Sequence, residues 1–331
     1  MRRLFLCSFV TAFTIIGSII GAGFITGKEV FEFFAKDLSL SGIYLAFLSF
    51  TGLIYFVMSN RNTQIKKWIE VFVAVSNIIV AGCMISALDS VYKRVFCLTE
   101  KVKILSIITA ILLFIMTLNG ISIVEKFCSL CLPIMIGVII ALCFLKTEDY
   151  SLPLSPKTFE GIAKPFIYVG FNVILSAGVI KNSGEKLSPP FKMLASLLTS
   201  FLICTLVWLI SLVVKCSESN DEMPFISLFY SNVKLLKIID ILTLFAIYST
   251  LISAIYTINK FGGISLSIKS KVCLLLLAIT VSELGFSPIV EVLYPILGIL
   301  AYAFIFVTFL LSGLFLREQP KHTLPLQADI K

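Results

Sequence analysis

Two carboxylates three residues apart, Glu29 and Glu32, close an apolar run at 15–34, IIGSIIGAGFITGKEVFEFF, that is punctuated by Gly17, Gly21, Gly23 and Gly27. An ionisable side chain at the centre of a bilayer costs about 2.5–3.5 kcal/mol on insertion scales, so carboxylates inside an apolar segment are functional candidates. Glu29 is read as a gate or proton relay. Glu32 is read as part of a solvated helix start, and the same bland role for Glu29, with Lys28 as its counter-charge, is the alternative. The glycines set the chemistry in front of them. In hydrocarbon every backbone N–H and C=O needs an internal partner, and broken backbone is tolerated only where it is buried in protein or lines a cavity. Unwinding here frees carbonyls near Ile20, Gly21 and Ala22 to coordinate a small cation. The half-helix that follows turns N–H groups beyond Phe24 toward the gap, where about half a positive charge suits a carboxylate. Gly21, Ala22, Gly23 and Phe24 are therefore candidate substrate contacts, with Ile20 and Gly21 on the ion. The competing use of these glycines is close helix packing, since Gly17/Gly21 and Gly23/Gly27 both fit GxxxG.

A second segment at 161–178, GIAKPFIYVGFNVILSAG, carries Pro165, Gly170, Asn172 and Gly178 in an otherwise apolar span. Asn172 stands at the expected break, with Tyr168, Gly170 and Phe171 beside it as candidate pocket residues. Gly- or Pro-interrupted segments in corresponding positions of two halves point to a transporter site between repeats. Elsewhere, Asp89 and Asp240 fall near span ends with lysines close by and read as snorkelling interface pairs. Lys126, beside Glu125, reads as an interface residue as well.

The elements that must position these residues are membrane spans. Of the 331 residues 58% are hydrophobic, the mean hydropathy is +1.03, and soluble domains hold roughly 45–50% apolar residues. A span takes about 20 apolar residues. The chain divides into 4–35 (interrupted), 41–59, 68–90, 102–118 and 123–145, then 159–182 (interrupted), 190–215, 236–259, 270–283 and 287–316. This is an all-α polytopic fold of about ten transmembrane helices. One transmembrane domain, 1–316, holds repeats at about 1–146 and 158–316, and a polar tail follows at 317–331. Five spans is an odd number, so the second repeat enters the membrane from the opposite side and is inverted. Ser188 before Pro189 and Pro190 marks a helix start. The centre of 215–237, MPFISLFYS, is apolar but too short to cross; it reads equally as a loop helix dipping toward a cavity or as a surface loop.

The net charge of +8 comes from Lys and Arg set singly or in short clusters between apolar segments, a membrane-flank pattern and not a nucleic-acid surface. A small excess of basic residues on the side of the N-terminus places both termini in the cytoplasm of a multi-pass plasma-membrane protein. The short basic start before the first apolar run resembles a signal peptide without a cleavage site and is expected to be a retained first helix. The nine cysteines sit mostly inside apolar segments, and the single histidine, His322, lies in the tail. A His-based metal site and a catalytic set are therefore not expected.

The run GSIIGAGFITGKEVFEFF resembles the first-helix signature of the YkvI-type family of bacterial membrane proteins, GAGF-x-[ST]-G-x-E before an aromatic-rich half-helix. That family is similar in layout to the amino acid–polyamine–organocation superfamily with its LeuT-like five-plus-five inverted repeat and broken helices one and six. The resemblance implies uptake of a small solute, an amino acid or related compound, coupled to Na+ or H+ by alternating access. It also carries an ion site over by position: LeuT-like sodium symporters use an eighth-span alanine followed at +3 and +4 by hydroxyl residues, and Ala246, Ser249 and Thr250 fit that spacing. Hydroxyl and carbonyl oxygens are apt ligands for a hard cation, although Ser and Thr also hydrogen-bond between membrane helices. The expected partners are a small-molecule substrate and the lipid bilayer, with no nucleic acid and no cofactor beyond a coupling ion. The alternative within the same superfamily fold is a membrane sensor or receptor subunit, as in spore germination, that binds a ligand with little transport.

Overall fold

Apolar runs of this length can satisfy their backbone in lipid only as helices, and the computed structural model is built from them. It describes residues 2–59, 67–96, 102–118, 121–146, 156–215, 223–260 and 267–317. Residues 147–155 between the two repeats, the start of the 215–237 connection and the tail with His322 lie outside the described residues. The helices are α1 Arg2–Ile19, α2 Ala22–Ile25, α3 Lys28–Phe33, α4 Leu40–Ser59, α5 Lys67–Phe96, α6 Val102–Thr117, α7 Ile121–Phe144, α8 Glu160–Leu175, α9 Ala177–Gly184 and α10 Pro189–Val214. After them come α11 Pro224–Ser227, α12 Val233–Lys260, α13 Ile268–Val281, α14 Phe286–Pro288 and α15 Tyr294–Arg317, with a π-helical segment Ile289–Leu293 before the last.

Among the described residues six helices are long and apolar enough to cross a membrane, and α8 with α9 passes the same test as one span bent by 61°. Leu4–Ile19 and Lys103–Thr117 are shorter apolar helices. Large apolar side chains point outward all round, among them Tyr44, Leu130, Ile134, Phe201 and Phe306. Such surface belongs against lipid.

The packing repeats itself between the two halves. Helix α1 packs on α10 as α8 packs on α4, and α1 packs on α7 as α8 packs on α15. Likewise α5 packs on α13 as α12 packs on α6, while α5 and α12 pack on each other. Exchanging the halves maps each of these contacts onto its counterpart. Two central helices, α5 and α12, thus stand beside the two interrupted segments.

Local sequence explains several boundaries. Ser188 is extended (φ −77°, ψ 160°) and two prolines open α10, as their position requires, but the Ser188 side chain makes no capping hydrogen bond. One turn on, Lys192 Nζ donates to the Met58 carbonyl at 2.7 Å, meeting the negative end of α4. At the junction of the halves Asp37 accepts from the N–H groups of Lys157 and Thr158 at 2.9 and 2.8 Å. Gly161 has no Cβ because the Asp37 carboxylate would lie 2.6 Å from it.

Asp240 does not pair with a lysine near its own span end. It sits 2.7 Å from Arg94 Nε and joins α12 to α5, with only 5% of its surface exposed. Removing one partner of a buried pair strands the other charge, at about 3 kcal/mol or more. Asp240→Ala is therefore expected to lower the melting temperature of the detergent-solubilised protein clearly, and Asp240→Ala combined with Arg94→Leu to recover part of the loss.

Candidate functional site

The helix of the first span ends where the glycines begin. Ile20 N still bonds to Ile16 O at 2.8 Å, Gly21 turns extended (φ −106°, ψ −166°), and α2 restarts at Ala22. The Ile20 carbonyl, released from the ladder, accepts the Thr250 hydroxyl of α12 at 3.1 Å. A Cβ on Gly21 would stand 3.1 Å from that same hydroxyl and 3.3 Å from Met84 Sδ. Ser249 is buried one residue away and donates to the Ala246 carbonyl at 2.9 Å. Ile20, Gly21, Ala246, Ser249 and Thr250 thus share one buried locus, rich in hydroxyl and carbonyl oxygen, where the first break meets α12.

The second break lies four residues beyond the position expected from the sequence. Helix α8 runs through Pro165, Gly170 and Asn172 without interruption and ends at Leu175, and α9 leaves at 61°. Asn172 is therefore inside a helix, its amide donating to the Tyr168 carbonyl one turn back at 3.0 Å. Gly170 serves packing, not an open pocket: the Tyr302 ring of α15 fills its Cα side, with Cδ2 2.6 Å from where a Cβ would stand. Tyr302 also donates to Phe166 O at 2.9 Å.

A residue unremarked in the sequence holds this second break. Asn77 of α5, almost fully buried, donates to the Leu175 carbonyl at 3.2 Å and to its own Val73 carbonyl at 2.9 Å. Each break is thus held by a side chain from the central helix of the other half: Thr250 at Ile20, Asn77 at Leu175. A lone asparagine in VFVAVSNIIVAGCMIS was the available signal, because amides inside membrane helices usually bond across to a neighbour. Replacing Asn77 by leucine leaves the Leu175 carbonyl buried and unsatisfied, at about 1–3 kcal/mol. The expected result is a lowered melting temperature in detergent, with Asn77→Gln closer to the parent.

Between the breaks lies a buried cluster. Ala22 and Phe24 are fully enclosed. Gly23 gives up its side-chain space to Glu29, whose Cγ and Cδ would each lie 2.6 Å from a Cβ there. The Glu29 carboxyl, 3% exposed, faces the Tyr168 hydroxyl of α8, yet neither Glu29 Oε2 nor that hydroxyl completes a well-formed hydrogen bond. Phe33, Phe34 and Phe50 surround the Tyr168 ring at centroid distances of 5.4, 5.2 and 6.3 Å. Phe171 meets Tyr294, the first residue of α15, at 4.1 Å, and the Tyr294 hydroxyl adjoins the Cys83 thiol of α5.

Lys28 is not the counter-charge of Glu29. Successive residues on a helix point about 100° apart, and the Lys28 ammonium turns to Glu291 of the π-helical segment, 2.6 Å from its Oε1. Glu32 pairs with Lys36 at 2.6 Å. The half-helix is also shorter than the sequence suggested: α2 has four residues, then Gly27 adopts a left-handed turn and α3 adds six. So short a helix carries little dipole, which weakens the case for an anion at its start. The MPFISLFYS segment does dip inward: Phe225, Ile226 and Phe229 are buried, and Phe225 N donates to Thr26 O at 2.8 Å.

This architecture is similar to that of two solved transporters. It resembles the closed, bromovinylhydantoin-bound structure of Mhp1, a nucleobase-cation-symport-1 family transporter, with a TM-score of 0.60 and 13% identity over 88% of this chain and 74% of that one. It also resembles the Eremococcus coleocola manganese transporter in complex with an aromatic bis-isothiourea substituted compound (TM-score 0.52, 14% identity, 92% and 76% covered). In sequence the chain is similar to YkvI of Bacillus subtilis (strain 168), an uncharacterized membrane protein, at 23% identity over 324 residues, covering 89% of this chain and 93% of that protein. The likeness first read from the glycine run therefore extends over nearly the whole chain. No family model matches the sequence. The two structural neighbours carry unlike cargoes, so the fold does not bring a substrate with it.

Proposed function

We propose that the protein is a secondary active transporter of a small organic solute, an amino acid or a related compound, working by alternating access in a ten-span, five-plus-five inverted repeat. The observation that carries this reading is the Thr250 hydroxyl on the released Ile20 carbonyl. Buried oxygen ligands at a helix break are how membrane proteins take a hard cation out of water. Sodium at this locus would draw on the carbonyls of Ile20 and Ala246 and the hydroxyls of Ser249 and Thr250. It would tie the first break to α12, so that ion loading and the position of α2 and α3 change together. The solute would lie beside Gly21, Ala22, Gly23 and Phe24, against Tyr168, Phe171 and Asn172. Glu29 would stand at its edge as the gate or proton relay.

The test is uptake into proteoliposomes with sodium and proton gradients imposed separately. Accumulation of an amino acid under either gradient supports the reading, and accumulation under neither overturns it. Ser249→Ala with Thr250→Ala is expected to weaken sodium dependence by at least tenfold. An unchanged sodium dependence removes the ion site.

A further inference from the structure

We infer that Glu29 is the counter-ion for a protonated amine on the transported solute, and that a proton occupies the same carboxyl when the amine is absent. The inference rests on the transporter reading and names the chemical class of its substrate. A buried carboxylate without a partner is costly; it takes up a proton or pairs with a cation. Glu29 is enclosed in the protein with Oε2 unpartnered, and the Tyr168 hydroxyl beside it is equally buried and also without a completed hydrogen bond.

Among the described residues, the groups that face this carboxyl are not cationic. They are Tyr168 from α8, Cys83 from α5 and Tyr294 at the start of α15, with Cys204 of α10 near Tyr168. On its own helix Lys28 is engaged with Glu291, and Glu32 with Lys36 of the adjoining turn. The dipping segment, Pro224–Ser227, contributes no titratable side chain. When the carboxyl is ionised, its cation therefore comes from beyond these groups, as a bound solute would supply it.

The surroundings favour an organic ammonium over a bare metal ion. An ammonium has three N–H groups to donate, and here a carboxylate oxygen and a phenolic oxygen stand ready to accept. Phe33, Phe34, Phe50 and the Tyr168 ring are packed together beside them, and aromatic faces attract ammonium groups. The exchange balances as Glu29–COOH plus R–NH3+ giving Glu29–COO− paired with R–NH3+ and one released proton.

The experiment uses the purified full-length protein with three sets of probes: the twenty amino acids, simple alkyl amines and diamines, and carboxylic acids of the same carbon skeletons without the amine. Thermal stabilisation identifies binders, and an indicator dye in weak buffer counts protons released on binding between about pH 5 and pH 8. The expected result is that every binder carries an amine, that the wild-type protein releases close to one proton per amine bound at the acid end of this range, and that Glu29→Gln weakens binding at least tenfold and releases none. The proton count is made on the wild-type protein, so it decides the matter even if the variant does not fold. Binding of amine-free acids, no binding of any amine, no proton release at any pH, or proton release by sodium chloride alone overturns the inference. These failures are separable from failure of the transporter reading, because amine-free solutes driven by a gradient would still accumulate in proteoliposomes.

Discussion

Gly23→Ala is expected to abolish the proposed solute uptake while leaving the oxygen-rich locus of Ile20, Ser249 and Thr250 intact. A Cβ at position 23 would stand 2.6 Å from both Cγ and Cδ of Glu29 and closer still to a carboxyl oxygen. Real side chains do not approach so near, and the carboxyl is enclosed, so it has no solvent-filled space into which to swing. Overpacking of this kind costs about 1–3 kcal/mol, and it falls on the carboxyl that the proposed solute would meet. The effect has a built-in check. In a Glu29→Ala background the obstructing atoms are gone, so Gly23→Ala is expected to be close to neutral for stability there. A double-mutant cycle on melting temperatures should therefore show coupling of at least 1 kcal/mol between neighbours that act through each other. Additive effects would mean that Gly23 is retained for backbone conformation and not for the carboxyl.

How much of this was legible before any coordinates can be judged from single positions. The helical segments followed from run length alone, because about 20 apolar residues in lipid leave the backbone no other solution. Ser188 with two prolines marked the start of α10 to within a residue, although Ser188 does not cap it. The first break was legible because four glycines in eleven residues weaken a helix from within the segment itself. The second was misplaced because Pro165, Gly170 and Asn172 look like breakers and are not. Gly170 is small to admit Tyr302, and Asn172 bonds back to its own helix. The true bend, after Leu175, is held by Asn77, ninety-eight positions away from Leu175 in sequence, and pairings over such distances leave no local trace. Lys28 and Glu29 misled in the opposite way. Adjacent in sequence, they suggest a pair, yet the helix turns one toward Glu291 and the other into the core.

The largest effect on folding is expected at Gly27. Its φ of +79° lies in the left-handed region, which costs a residue with a Cβ roughly 1–2 kcal/mol. That turn separates α2 from α3 and aims Glu29 inward. Space is closed as well, since a Cβ would meet Phe225 Cβ at 2.8 Å, and Phe225 N and Val214 Cγ1 at 3.0 Å each. The Phe225 backbone cannot retreat without giving up its hydrogen bond to Thr26 O. Strain and overpacking together predict a loss of about 2–4 kcal/mol for Gly27→Ala, read as a fall in melting temperature in detergent. Gly27→Asn separates the two causes, because asparagine tolerates the left-handed region better but carries the same Cβ. A milder loss for asparagine assigns the effect to conformation, and an equal loss assigns it to Phe225. Gly52→Ala and Gly137→Ala supply the baseline: nothing lies within 4 Å of a Cβ at either position, and alanine in a helix interior is favoured over glycine by roughly 0.5–1 kcal/mol. If Gly27→Ala proves as harmless as these two, the turn at Gly27 is not what holds the dipping segment against the first break, and that segment must be held by its own buried side chains.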